Sequence, residues 1–412
     1  MISRRSTFKI AAGAAAAATL TTQEALAADK VLKIGINLSF TGADAESAAR
    51  IANGGVLAFD EANAAHSVKG YTFQIVKLDD ATATAGQYDP AQAATNARTM
   101  VSDKGFVAAL GPQMSGAGKA MAPILSQGNL AIITPSSTNP DLTDPKFAAQ
   151  YRPAGKAIYF RTVATDAFQG PNMANYMAKT LKVKSVYVLD DSGAYGVGLA
   201  DAFQAQIEKN GVKVLGRDRL DPKASDYASV LTKIKAAAPD ALYYGGVSQA
   251  GVKLAKQAYD IVPAMIKAGG DGMQTADLLK GAGFPAVEGW YVTVASPHVT
   301  EDPKIKGFSD RYFAKFKIRP DDYTVTCYTA AEVIIAAAKT LAAANKTIDR
   351  ITLRDAIQAT KMPTSMLGPI EFDENGDLKN KIISVFKITK NDKESLEDPS
   401  AQYKYVGVAP MS

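Results

Sequence analysis

Two short stretches carry residue types suited to holding an anion. Leu110 to Gly118 and Ile132 to Pro140 are apolar runs that break into glycine, serine and threonine. Small side chains at such breaks leave backbone N–H groups open, and the first break enters a helix-like pattern whose start adds a positive dipole end. Side by side, the hydroxyls of Ser115, Ser136, Ser137 and Thr138 would make a site of carboxylate size. Two further loops bear on it. Asp190 to Gly196 ends an apolar strand and sets Tyr195 at the entrance to the next helix, where ligands of doubly wound sheets are held. Asp271, flanked by glycines, reads as a turn former. Facing the hydroxyls, it would instead take the ammonium of a zwitterion.

Catalytic patterns are thin by comparison. His66 and His298 lie in polar surroundings, far apart in sequence, and read as surface residues. Gly246 to Gly251 nearly makes a nucleophile elbow around Ser248, but its second glycine comes one residue late. Gly196 to Asp201 starts as a dinucleotide fingerprint and then places Asp201 where the third glycine belongs. No phosphate-binding loop and no His/Cys set for zinc occurs, so neither metal nor cofactor is expected. Asp79 and Asp80, adjacent at a strand end, read as solvated. Binding is the better class, and a hydrolase or dehydrogenase the remote one.

The chain begins with Arg4, Arg5 and Lys9, an alanine-rich apolar run too short to span a bilayer, and the small-x-small pattern of Ala25 to Ala27. Residues 1–27 therefore read as a cleaved export signal, by the twin-arginine or the general secretory route, and the expected location is the periplasm. Losing Arg4, Arg5, Lys9 and Glu24 lowers the formal charge from +5 to +3. That balance is too mild for nucleic acid, and no stretch of the mature chain has the continuous apolar length of a membrane span. Cys327 is the one cysteine, so no internal disulfide can form, and its apolar surroundings suit a buried structural thiol.

Strand-like and helix-like periods alternate along the rest. Strands are expected at 31–38, 71–78, 106–110 and 130–134, and again at 185–189, 212–215, 241–244 and 288–294, with helices between them. Two such series predict an α/β protein of two doubly wound parallel-sheet lobes. Residues 304–361 read as mostly helical, followed by short strands at 370–373, 382–388 and 403–408. Residues 81–90 read as an exposed loop.

These motifs resemble the type I periplasmic binding proteins of ABC transporters, in the branched-chain amino-acid group. The resemblance rests on Leu78 to Asp80, Gly111 to Ser115, Ile133 to Thr143, Phe160 to Thr162, Gln169 to Pro171, Tyr195 to Leu199, Tyr243 to Gly246, Gly270 to Gly272, and Gly368 to Asp377. It implies a clamp with a three-crossover hinge, with 28–162 and 295–367 in one lobe and 163–294 and 368–412 in the other. Hinges are expected near 161–163, 292–295 and 368–372. Ser115, Ser136 and Thr138 would hold a ligand carboxylate, Tyr195 would close from the second lobe, and Asp271 would take an amino group. Ser47 and Val247 stand where the group often has aromatics, which enlarges the side-chain end of the pocket. The expected function is a monomeric binding protein that passes an amino acid to an inner-membrane ABC permease. An aromatic or other organic acid, or a sensing role, is the alternative.

Overall fold

The apolar runs of the first series form one parallel sheet. The computed structural model describes residues 29–411, and the export segment expected at 1–27 lies outside the described residues. Strands β1 (Lys30–Leu38), β2 (Tyr71–Asp79), β3 (Phe106–Leu110), β4 (Ala131–Thr134) and β5 (Tyr159–Arg161) pair in the order β2-β1-β3-β4-β5. Ile34, Ile36, Leu110, Ile132 and Ile133 are wholly buried, as expected of strands covered on both faces. Helices α1 (Ala45–Ala64), α2 (Pro90–Ser102) and α3 (Ser115–Gln127) connect them, and the short α4 (Ala148–Tyr151) precedes β5.

The second series repeats the plan. It runs α5 (Asp166–Lys179), β6 (Ser185–Asp190), α6 (Ala194–Lys209), β7 (Lys213–Arg219), α7 (Ala228–Ala237), β8 (Ala241–Gly245), α8 (Ser248–Ile261), β9 (Ile266–Gly269), α9 (Ala276–Ala282) and β10 (Tyr291–Val294). With β13 (Ser384–Ile388) and β14 (Tyr403–Val408) these strands form a second sheet, ordered β14-β13-β10-β9-β8-β6-β7. Within it β13 runs antiparallel to both its neighbours, β10 and β14.

Between β10 and β13 the chain returns to the first sheet as α10 (Lys306–Phe316), α11 (Asp322–Ala343) and α12 (Arg350–Gln358). Helix α11 packs along α1 and across β3 and β4. By length and composition it could cross a membrane, yet two-thirds of it is buried inside the protein, which marks a core helix. The close approach depends on glycine: a Cβ on Gly54 would sit 2.2 Å from the Thr324 carbonyl oxygen. Cys327 is buried at this seam, and burial pushes its thiol up to about 12, so it is inert as a nucleophile.

Three segments carry the chain between the sheets: the residues after β5, those after β10, and those before β13. The first two are tied together by the Ala164 N–H, which donates to the Ala295 carbonyl at 2.8 Å. The third contains the small ribbon of β11 (Lys361–Met362) and β12 (Ile370–Glu371). Beyond β12, residues 372–377 pack back onto β5, with Phe372 on Phe160 at 5.2 Å between ring centroids and Asp377 on Arg161.

Several local expectations change. Strand β5 was not legible as a strand, because its three residues follow a polar loop. Asp80 is not solvated: it is buried, accepts from Asn37 Nδ2 at 2.7 Å and Ser39 Oγ at 2.8 Å, and burial raises it to about 6. His298 is not a surface residue either. Its side chain is 9% exposed, stacks on Tyr405 and meets Asp322 at 2.9 Å. In the segment read as an exposed loop, Tyr88 bridges to Ala81 and packs against the core.

Candidate functional site

In each sheet the chain runs outward in both directions from one strand, β1 in the first and β6 in the second. Loops at the carboxyl ends of strands around such a reversal splay apart and leave a crevice. Here the two crevices face one another across a single cleft with about 510 Å³ of empty space, its mouth included. The first sheet lines it with Asp44, Ser47 and Ile51 after β1, Gln113 to Ser115 after β3, and Ser136 after β4. The second sheet adds Tyr195 after β6, Val247 after β8, and Asp271, Gly272, Gln274 and Thr275 after β9. Asp321 and Tyr323, at the start of α11, complete the wall.

The hydroxyl breaks come together as expected. Gly111 turns the chain at the end of β3 with φ +105°, and a Cβ there would lie 2.2 Å from the Asn37 carbonyl oxygen, so only glycine fits. Helix α3 then starts at Ser115, whose hydroxyl accepts from the Asn139 N–H at 3.2 Å and from the Ser137 hydroxyl at 3.4 Å. Ser137 and Thr138 lie behind this surface, both buried and neither on the cleft wall. The Thr138 hydroxyl has no hydrogen-bond partner of normal geometry, although it lies near enough to the Asp166 carboxyl to favour its charged form. A buried hydroxyl left open beside a helix start is suited to an incoming anion.

One buried arginine fixes that loop. Arg161 donates to the carbonyls of Ser137 at 2.8 Å and Asn139 at 2.9 Å, to the Thr143 hydroxyl at 2.8 Å, and to Asp377 at 2.7 Å. Its planar fork holds several acceptors at once, which a lysine cannot do. The loop's carbonyls are drawn away from the cleft by these bonds. The sequence placed Arg161 only at a hinge, and its hold on the loop was missed.

Across the cleft, Asp271 accepts hydrogen bonds from the Tyr195 and Tyr323 hydroxyls and from Gln169 Nε2 at 3.2 Å. Tyr195 in turn accepts from the Gly272 N–H at 3.1 Å. Gln169 also donates to Asp166 at 2.8 Å. Burial raises the pKa of Asp271, against the pull of its three donors; burial and then the Asp271 charge raise that of Asp166. Two buried carboxyls therefore repel one another, with only a lesser pull from Arg161 on Asp166. An ammonium entering here would relieve that repulsion.

The remaining expected residues also reach the cleft. The Ser47 hydroxyl donates to the Asp44 carbonyl at 3.0 Å and accepts from Gln113 Nε2 at 3.1 Å. Val247 presents its side chain while its N–H donates to Asp191 at 2.9 Å. Missed were Asp44, Gln113, Gln274, Asp321 and Tyr323. Asp44 had a usable signal, since it follows an apolar strand and precedes a helix, as Ser115 does. Tyr323 and Asp321 lie far along the chain and carried none. Among the described residues no lysine, arginine or histidine lines the cleft.

The two halves also touch directly beside the cleft. Asp277, at the start of α9, accepts from the N–H groups of Glu46 at 3.2 Å and Ser47 at 3.0 Å, capping α1 from the opposite side. Asn139 Nδ2 donates to the Ala194 carbonyl at 2.9 Å.

A periplasmic binding protein family model matches residues 31–393. A Leu/Ile/Val-binding protein homolog of Brucella melitensis is 30% identical over 92% of this chain and 96% of its own. The solved structure of a leucine-binding protein from Thermotoga maritima superposes with a TM-score of 0.78 at 25% identity, covering 92% of this chain and 98% of that one. A solute-binding protein of an R. palustris ABC transporter, in complex with benzoate, gives 0.75 at 18% identity over 93% and 97%, a likeness of fold alone.

Proposed function

The chain belongs to the periplasmic binding protein family, and we propose that it is an exported, non-enzymatic protein that captures an amino acid in its cleft for an ABC permease. Each sheet with its helices acts as one lobe of a clamp, hinged at the three crossing segments. The ligand carboxylate meets Ser115, Ser136 and the open N–H groups at the start of α3, and draws on the open Thr138 hydroxyl just behind them as the loop closes on it. Its ammonium meets Asp271, backed by Tyr195 and Tyr323. Ser137 supports the anion loop from behind.

The observation that carries the reading is the charge of the cleft. Its wall holds the carboxyl groups of Asp44, Asp271 and Asp321, the last 4.0 Å from Arg50, and among the described residues no cationic side chain lines it, so a negative group is held by neutral donors and a positive one by carboxyl groups. That pattern suits a zwitterion and opposes an acid lacking an amine. The name of the Brucella relative, a Leu/Ile/Val-binding protein homolog, supports the same class. The enlarged side-chain end at Ser47 and Val247 is what favours the aromatic-acid alternative.

A thermal-shift screen of the mature protein against the amino acids and a set of aromatic acids separates the two. A ligand at a hundred times its Kd adds about 2.7 kcal/mol of stability. Stabilisation by one or more amino acids is the expected result. Stabilisation by aromatic acids alone would transfer the assignment to them.

A further inference from the structure

The cleft holds a second acidic pole that a zwitterion's own ammonium does not satisfy. Asp44 ends the turn after β1 and is 1% exposed, yet neither of its carboxylate oxygens has a hydrogen-bond partner. Two more acceptors on the same wall are open: Oε1 of Gln113, 8% exposed, and Oε1 of Gln274, 4% exposed. Buried acceptors without donors are costly and seldom left so, and here all of them face one cavity. No protein donor reaches these acceptors among the described residues, and an aliphatic ligand side chain offers none.

Topology separates this pole from the one at Asp271. Asp44 follows β1, on the far side of β3 from the Ser136 loop after β4. The Gln113 amide reaches Ser47, which bonds back to Asp44, so these groups form one patch at the side-chain end. The charges that bear most on Asp44 are Asp277 at the start of α9, Asp191 after β6 and Asp80 after β2, whereas Asp271 is paired with Asp166. Tyr88, from the loop after β2, also faces it. On α1 itself, Arg50 pairs with Glu46 at 3.7 Å and with Asp321 at 4.0 Å and donates to the Arg319 carbonyl at 2.5 Å, and it is not among the charges that bear most on Asp44.

We propose that the amino acid bound here is basic, with the cationic end of its side chain seated on Asp44, Gln113 and Gln274. The proposal rests on the amino-acid reading above and names the substrate class within it. It explains why small Ser47 and Val247 stand at this end, since they leave room for a long side chain. Burial, then the charges of Asp277, Asp191 and Asp80, raises the Asp44 carboxyl to about 8, so in the empty cleft it holds a proton at neutral pH. A cation arriving there displaces that proton. Affinity for the cation therefore rises with pH up to about 8 and levels off above it.

The test is calorimetric titration of the mature protein with L-arginine, L-lysine and three neutral probes. L-citrulline and L-norleucine match the basic pair in shape without the charge, and L-leucine is short and apolar. Arginine or lysine should bind at least tenfold tighter than its neutral counterpart, with a buffer-dependent enthalpy that shows proton release near pH 7. Asp44→Asn should lose at least tenfold for the basic ligand, hold the neutral probes within about threefold, and abolish the proton release. Because asparagine matches in size the protonated, neutral carboxyl of the empty cleft, the variant should fold about as stably as the wild type; the wild-type ranking and proton count stand without it. Leucine or norleucine binding as tightly as lysine and arginine would overturn the basic-ligand assignment and leave the amino-acid reading intact. Binding of aromatic acids with no amino acid bound would defeat that reading, and this inference with it.

Discussion

Replacing Arg161 with methionine removes four donors from one buried point. The side chain has no exposed surface and its partner Asp377 is 17% exposed, so little water is present to replace the lost contacts. Breaking one partner of a buried ion pair costs about 3–5 kcal/mol. The carbonyls of Ser137 and Asn139 are left without their donor as well, at about 1–3 kcal/mol each when unsatisfied. These terms overlap because the loop will shift to recover some bonds, so a total near the upper end of about 3–5 kcal/mol is expected. That is a large share of a total stability of about 5–15 kcal/mol. The loop also carries Ser136 and Thr138, so the variant should lose ligand affinity by at least tenfold even where it is fully folded. Chemical denaturation gives the first quantity, and calorimetry at a temperature where circular dichroism shows a native spectrum gives the second. Arg161→Lys should fall between wild type and methionine, because an ammonium can reach Asp377 but cannot serve two carbonyls and a hydroxyl. A methionine variant with unchanged stability and affinity would refute the idea that Arg161 holds the anion loop.

Thr138→Val should change the stability of the empty protein little, since the hydroxyl makes no bond of normal geometry there, while weakening ligand binding by about 1.5–3 kcal/mol; unchanged affinity in calorimetry would remove Thr138 from the site. Asp277→Ala removes the cap on α1 supplied from across the cleft, at about 0.5–2 kcal/mol borne by the closed state, so Kd should rise about two- to thirtyfold and small-angle scattering should show less compaction on ligand addition. Identical scattering and affinity would show that Asp277 does not help closure. For His298, burial works to lower the pKa but the bond to Asp322 outweighs it, and the net direction is upward. Its stabilisation is therefore full below the unfolded value of about 6.5 and is lost as pH rises through the folded value. His298→Phe should then cost more stability at about pH 5.5 than at about pH 8.5, and equal costs in denaturation at both would contradict that linkage.

The fold was legible because its signals are local. Runs such as Val31 to Leu38 and Phe106 to Leu110 are apolar on both faces, and each breaks at glycine or a hydroxyl where the chain turns into a helix. The position of the Ser136–Thr138 loop beside the cleft could be read for the same reason, as could those of Tyr195 and Asp271, each standing just after a strand. What escaped depends on contacts between distant parts of the chain. Tyr323 reaches Asp271 only because α11 returns to the first sheet after the whole second sheet has formed. Arg161 meets Asp377 across more than half the chain. Asp44 lay in a readable position, but that its carboxylate is buried and unpartnered follows only from the packing of β6, α9 and the loop after β2 around it.

The central claim is that Asp271 receives an ammonium in a closed, water-poor cleft. Calorimetric titration of wild type and Asp271→Asn, with the amino acid that stabilises the wild type most, tests it most directly. Asparagine keeps the shape and leaves the ammonium facing a neutral acceptor, and losing one partner of such a pair costs about 2–5 kcal/mol of binding. The expected result is therefore a Kd raised by at least thirtyfold, with the unliganded variant folded and at least as stable as the wild type because a repelled carboxyl is gone. An unchanged Kd for the amino acid in a folded Asp271→Asn protein would contradict the claim.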